Sequence, residues 1–159
     1  MRNIDHSHRL EKLILEHENA LLRAAVAILG DVQEAEDAVQ DTFLKYLEKQ
    51  PSFRDVNHAR AWLLKVTANG ALSRLRDQKR HPTAPLLEAY PAPTTEHREL
   101  MEAVMDLPPH ERAVIHLHYY EGYSTEEIAR MLGCRPGTVR SRLSRAREAL
   151  RLRLKGAEF

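Results

Sequence analysis

Apolar residues recur at three- and four-residue spacing through most of the chain, the period of helices that bury one side. Leu10, Leu13, Ile14, His17, Leu21 and Leu22 carry that spacing across about residues 10–29. Gly30-Asp31 interrupts it, and an aspartate there can cap a following helix by accepting from its first free N–H groups. Ala35, Val39, Thr42, Phe43 and Tyr46 form the inward stripe of that second helix, which runs to about Leu47. Its outer face shows Asp37, Gln40, Asp41, Leu44 and Glu48, acidic with a leucine in the middle. Pro51 closes the helix. A third helix is expected from about His58 to Arg80, with Trp62, Leu63 and Val66 on one side and Leu64, Ala68, Ala71 and Leu75 on another. Apolar residues on two sides predict a helix sandwiched between neighbours.

The character changes from His81 to Thr95, with four prolines, three threonines and no lysine or arginine. That composition predicts an extended, poorly ordered linker, able to span up to about 45–50 Å. Helices resume near Glu96–Met105 and again after Leu107-Pro108-Pro109. No strand alternation and no repeat stands out. The expected architecture is all-α, with one helical domain over 1–80, a linker over 81–95 and a second helical domain over 96–159.

The sharpest local pattern lies between Ser124 and Glu148. Ser124 with Glu127 is a capping box, Gly133 is placed to end the short helix it starts, and Pro136 suits the first turn of the next. Two helices joined by a tight turn, the second basic, form the sequence signature of a helix-turn-helix. At about 100° per residue, Val139, Leu143, Ala146, Leu150 and Leu154 fall within an arc of about 80°, a core stripe. The opposite side presents Arg140, Ser141, Ser144 and Arg145, side chains able to bond base edges and phosphates in a major groove. From Arg135 to Lys155 there are eight basic residues and one acid, Glu148. An ordinary solvated helix more often mixes the two signs.

Composition narrows the choices. With 159 residues, 43% hydrophobic and 30% charged, the chain is expected to be globular and soluble. No apolar run approaches the roughly 20 residues that span a bilayer, and the N-terminus lacks the apolar segment of a signal peptide. The single cysteine, Cys134, excludes an internal disulfide and fits a reducing cytoplasm. The net charge of +1 hides an acidic first third and a basic end. No phosphate-binding loop, nucleophile elbow or zinc-type cysteine spacing occurs. His116 and His118 are two apart and point away from each other on a helix, which makes them poor co-ligands. No enzyme, metal or cofactor is expected.

Leu107-Pro-Pro-His-Glu-Arg-Ala-Val-Ile, Tyr120-Glu-Gly-Tyr-Ser-Thr-Glu-Glu-Ile-Ala and Gly137-Thr-Val-Arg-Ser-Arg-Leu-Ser-Arg-Ala-Arg resemble the C-terminal DNA-binding domain of bacterial alternative sigma factors of the extracytoplasmic-function type. The first half agrees: Gly30-Asp31, then Ala35-Glu-Asp-Ala-Val-Gln-Asp-Thr-Phe, Phe53-Arg, and Ala61-Trp-Leu with Asn69 seven residues after Trp62. The resemblance implies that the chain binds core RNA polymerase through the clamp helices of its largest subunit, using Asp37, Gln40, Asp41 and Leu44. It implies that Phe53, Asn69, Arg74 and Arg76 read and open the minus-ten promoter element. It places the minus-thirty-five contacts on Arg140, Ser141, Ser144 and Arg145, with Arg135, Thr138 and Arg142 at phosphates. Ser73, where the family often has aspartate, and Gly70 depart from the common pattern. The linker would let the two domains sit on separate DNA faces, and in this family an anti-sigma factor often sequesters both. Rival readings are a dimeric helix-turn-helix regulator acting without polymerase, and a helical adaptor for acidic partners.

Overall fold

A computed structural model describes residues 2–77 and 95–154, and every regular element among them is helical. The helices are α1 (Arg2–Leu29), α2 (Val32–Lys49), α3 (Val56–Asp77), α4 (Thr95–Met105), α5 (Pro109–Ile115), α6 (Thr125–Leu132) and α7 (Pro136–Arg153), with a π-helical turn, His116–Tyr120, continuing α5. Nearly all of the linker expected over 81–95 lies outside the described residues, as do Lys79 and Arg80. α1 begins well before Leu10. The apolar period marks where packing starts, and a nucleated helix propagates into polar sequence at little cost.

The helix ends follow the local chemistry. Asp31 Oδ1 accepts from Gln33 N at 2.9 Å and Glu34 N at 3.3 Å, capping α2. Asp55 Oδ1 accepts from His58 N at 2.7 Å at the start of α3. Ser124 and Glu127 complete the reciprocal capping box of α6, bonding in both directions at 3.1 and 3.0 Å. Gly133 ends α6 at φ 69°, a left-handed conformation that costs glycine nothing. Gly30 turns out of α1 at φ 73°, and a Cβ there would lie 2.5 Å from Met105 Cε on α4. Gly30 therefore serves the turn, and the flexible end of Met105 from the other half of the chain packs against it.

α1, α2 and α3 pack through Leu21, Ala25, Ile28, Ala38, Val39, Phe43, Leu63, Leu64 and Ala68. α3 buries Leu63 of one predicted stripe and Leu64, Ala68 and Ala71 of the other, while Trp62, Val66 and Leu75 are half-buried. Thr42 and Thr67 meet in this core at 2.8 Å. Thr42 also donates to Ala38 O at 2.9 Å, so the Thr67 hydroxyl is the donor of the pair, and both polar groups are satisfied. Val139, Leu143, Ala146 and Leu150 of α7 are buried as the angular pattern predicts, and Leu154 packs at the edge.

The two halves are not held apart. The buried side chains of α1–α3 form one continuous cluster with Ala113, Val114, Leu117, Ile128 and Met131. Arg112, 7% exposed, ties them together. Its Nε donates to Ile28 O at 3.0 Å, and its other nitrogens donate to Ile28 O, Leu107 O and Met105 O. These carbonyls lie at or just beyond the ends of α1 and α4, where helix dipoles concentrate negative charge and carbonyls lack helical partners.

His17 is buried, and its Nε2 has no hydrogen-bond partner among the described residues, with the Glu16 carboxylate 3.7 Å away. Burial pushes its pKa below the ordinary 6.5, Arg60 adds to the effect, and Glu16 opposes it. A depressed histidine pKa means the folded chain binds fewer protons than the unfolded chain near pH 6. The folded state should therefore lose stability as pH falls through about 6.5. Melting temperatures between pH 7.5 and 5.5 should fall less in His17→Leu than in the wild type. Parallel declines would exclude His17 as the cause.

Candidate nucleic-acid interface

The helix-turn-helix is built as its sequence predicts. α6 is set by its capping box and ended by Gly133, and Pro136 occupies the first turn of α7. The apolar stripe of α7 turns inward, which leaves Arg135, Arg140, Ser141, Ser144 and Arg145 exposed, with Thr138 and Arg142 half-buried. Arg140 Nη1 lies 4.0 Å from Glu126 Oε1, and both side chains are mostly exposed. Such a contact is weak and yields readily to a phosphate. Arg145 has no carboxylate partner among the described residues.

The four residues expected at minus-ten do not all stand free. Phe53 is half-buried in an aromatic cluster, 6.2 Å from Tyr46, 5.4 Å from His58 and 5.8 Å from Trp62 between ring centres. Asn69 Nδ2 donates to Lys65 O on its own helix at 2.9 Å and to Met131 O on α6 at 2.8 Å. Arg74 bonds Asp41 Oδ2 at 2.6 Å and Glu34 Oε2 at 3.2 Å. It thereby joins a residue of the minus-ten set to one of the polymerase set. Arg76 is exposed, and among the described residues it bonds the Ser73 hydroxyl, at 3.2 Å. Burial, then the charges of Arg142 and Arg76, depress the pKa of His110, so basic side chains of α3 and α7 converge on one region.

On α2, Asp37, Gln40, Asp41 and Leu44 are all exposed as the pattern predicts, and Leu44 is 56% exposed.

A cluster that the sequence pattern does not reveal lies between the halves. The Glu121 side chain is fully buried and receives hydrogen bonds from Arg60 of α3 and from His116 Nε2 at 2.9 Å. Burial raises its pKa, but the bonds from His116 and Arg60 outweigh that and hold the carboxyl below its ordinary value. The π turn makes the geometry. Glu121 N bonds back to His116 O at 3.1 Å, Gly122 takes φ 83°, and His118 Nδ1 donates to Tyr123 O at 2.8 Å. The two histidines thus have separate partners, and no group of side chains suited to a metal occurs among the described residues. One hint was legible: an acid at a helix C-terminus opposes the dipole unless it is paired elsewhere.

A three-helix unit with an exposed acidic face is followed by a helix-turn-helix with an exposed basic face, the form of a DNA-binding helical protein. Family models agree in the same order: Sigma-70 region 2 matches residues 13–81 and Sigma-70, region 4 matches 97–150. The ECF RNA polymerase sigma factor SigM of Mycobacterium tuberculosis is 38% identical over 148 residues, covering 90% of this chain and 76% of that one. SigL from the same species is 35% identical over 150 residues, covering 87% and 85%. Among solved structures, the sigma factor RpoE in complex with the anti-sigma factor NepR from Bartonella quintana matches with a TM-score of 0.74 and 28% identity, over 93% of this chain and 98% of that one. CnrH in complex with the cytosolic domain of CnrY matches with a TM-score of 0.68 and 25% identity, over 96% and 91%. The chain belongs to the extracytoplasmic-function sigma factors. These are non-catalytic factors that direct promoter-specific initiation by RNA polymerase.

Proposed function

We propose that the two exposed faces divide the work of initiation. Asp37, Gln40, Asp41 and Leu44 of α2 bind the clamp helices of the largest polymerase subunit. Phe53, Asn69 and Arg76 engage the minus-ten element. Arg74 stands with them in sequence, but a DNA contact by it competes with its pairs to Asp41 and Glu34. Arg140, Ser141, Ser144 and Arg145 read the minus-thirty-five element, while Arg135, Thr138 and Arg142 hold phosphates. The functional units are residues 1–80 and 96–159, joined by the segment between them. The observation that carries this reading is the pairing of the solvent-exposed Leu44 and its acids with the unshielded arginines of α7 in one chain. A regulator working without polymerase has no use for the first. No helix among the described residues is long and apolar enough to cross a membrane, and the cytoplasm, where promoters and polymerase meet, is the proposed location. An anti-sigma factor is a proposed partner, supported by the solved neighbour RpoE, which is in complex with the anti-sigma factor NepR.

Leu44→Ala should weaken binding to core polymerase by about 1–2 kcal/mol, roughly tenfold, because a central apolar anchor carries a large share of a contact. Asp37→Lys should weaken it further in low salt than in high salt. Titration of labelled protein against core polymerase reads both. Unchanged affinity in the two variants would remove α2 as the docking helix.

A further inference from the structure

We infer that the cavity walled by α1, α4 and α5 is a binding site for an amphipathic carboxylate, an aliphatic chain with one anionic head. None of the residues assigned above to polymerase or DNA lines it.

Three observations carry it. First, the cavity is roomy and mostly apolar. It holds about 490 Å³, within the range of about 300–1,000 Å³ where small-molecule sites fall. Leu100, Met101, Val104 and Met105 of α4 and Ile115 of α5 are all half-buried on it, and Val26 of α1 contributes to the wall. Unbranched methionines can adapt their shape to a flexible chain. Second, a buried cation lines the same space. Arg112 is 7% exposed, and its guanidinium bonds only neutral carbonyls among the described residues. Burial alone moves its pKa, and downward, so no acid offsets the charge there. A buried charge without a counter-charge is costly, and an anion entering the cavity would relieve that cost. Third, Arg23 is exposed at the mouth, its guanidinium 5.3 Å from the centre of the Tyr120 ring. It too has no carboxylate partner among the described residues.

Two cations without acids on a mostly apolar cavity select an anion joined to an apolar body. A neutral hydrocarbon leaves the charges unmet, and a small hydrophilic ion leaves the walls uncovered. The carboxylate meets Arg23 at the mouth, where a guanidinium can hold it through two parallel hydrogen bonds. Arg112 adds an attraction that water screens poorly, and the chain covers the walls of α4.

The test titrates dodecanoate, below its micelle concentration, into the full chain by calorimetry, with uncharged dodecanol as the control. One molecule should bind per chain, and the melting temperature should rise with dodecanoate concentration. Dodecanol should bind at least about tenfold more weakly. Arg23→Gln, a surface change, should weaken dodecanoate binding about 3- to 10-fold. Met101→Glu, on the half-buried wall, should abolish it with helical circular dichroism unchanged. Absence of binding, or equal binding of dodecanoate and dodecanol, would overturn the proposal. So would many molecules bound alike by the wild type and both variants, as in detergent adsorption. A wild type that sediments as a dimer while Met101→Glu sediments as a monomer would mean that a second copy covers the cavity, which also overturns it.

Discussion

Replacing Arg112 with methionine is expected to cost about 3–5 kcal/mol of folding stability, because its guanidinium bonds the buried carbonyls of Ile28 and Leu107 and the half-buried one of Met105. Methionine keeps much of the bulk, so lost packing contributes little and the loss reports hydrogen bonding. Without Arg112 the Ile28 and Leu107 acceptors would be left buried at the negative end of a helix or just beyond it, and the Met105 acceptor half-buried. Burial already pulls the Arg112 pKa below the ordinary arginine range, which shows how far the charge has left water. Lysine should rescue little, since one ammonium group cannot reproduce a planar fork serving two helix ends. Urea unfolding of the full chain measures the loss. A shift in stability under about 1 kcal/mol for Arg112→Met would mean that water replaces the guanidinium.

The second large effect concerns DNA. Arg145→Ala and Arg140→Ala should each weaken minus-thirty-five binding by about 1–3 kcal/mol, or about 5- to 150-fold. Both are exposed on α7, away from its buried stripe, so folding should be untouched. Arg142→Ala should act differently. A phosphate contact weakens all sequences alike and reduces the salt dependence by about one counterion. Binding measured on matched and scrambled minus-thirty-five sequences, at two salt concentrations, separates the two roles. Normal promoter selectivity in the Arg140 and Arg145 variants would move base reading elsewhere on α7.

These effects differ in how visible their residues are beforehand. The α7 stripe, the capping box at Ser124, the Asp31 cap and the exposed Leu44 all follow from spacings within one or two helical turns, and short-range periodicity reports them well. Arg112, Glu121 and the Asn69–Met131 bond do not. Arg112 and Ile28 are 84 positions apart, and Asn69 and Met131 are 62 apart. Periodicity shows that α3 has two apolar sides but not which helix covers the second. Asn69 on an apolar stripe did signal a polar group needing a partner, although the partner proved to be a backbone carbonyl of the other half. The π turn was similarly hidden, because a single widened turn leaves the apolar spacing around Val114 and Leu117 nearly unchanged. What the local pattern could not supply was the closed packing of the two halves, and that packing places Asn69 against the Met131 carbonyl.

The most direct test of the account is reconstitution. Purified chain is added to core RNA polymerase with the host's genomic DNA, and transcript 5′ ends are mapped. The account predicts a discrete set of new starts, preceded by shared minus-ten and minus-thirty-five sequences, that disappears with Asp37→Lys. Starts indistinguishable from those of core polymerase alone, with the free chain binding a palindrome as a dimer, would contradict it.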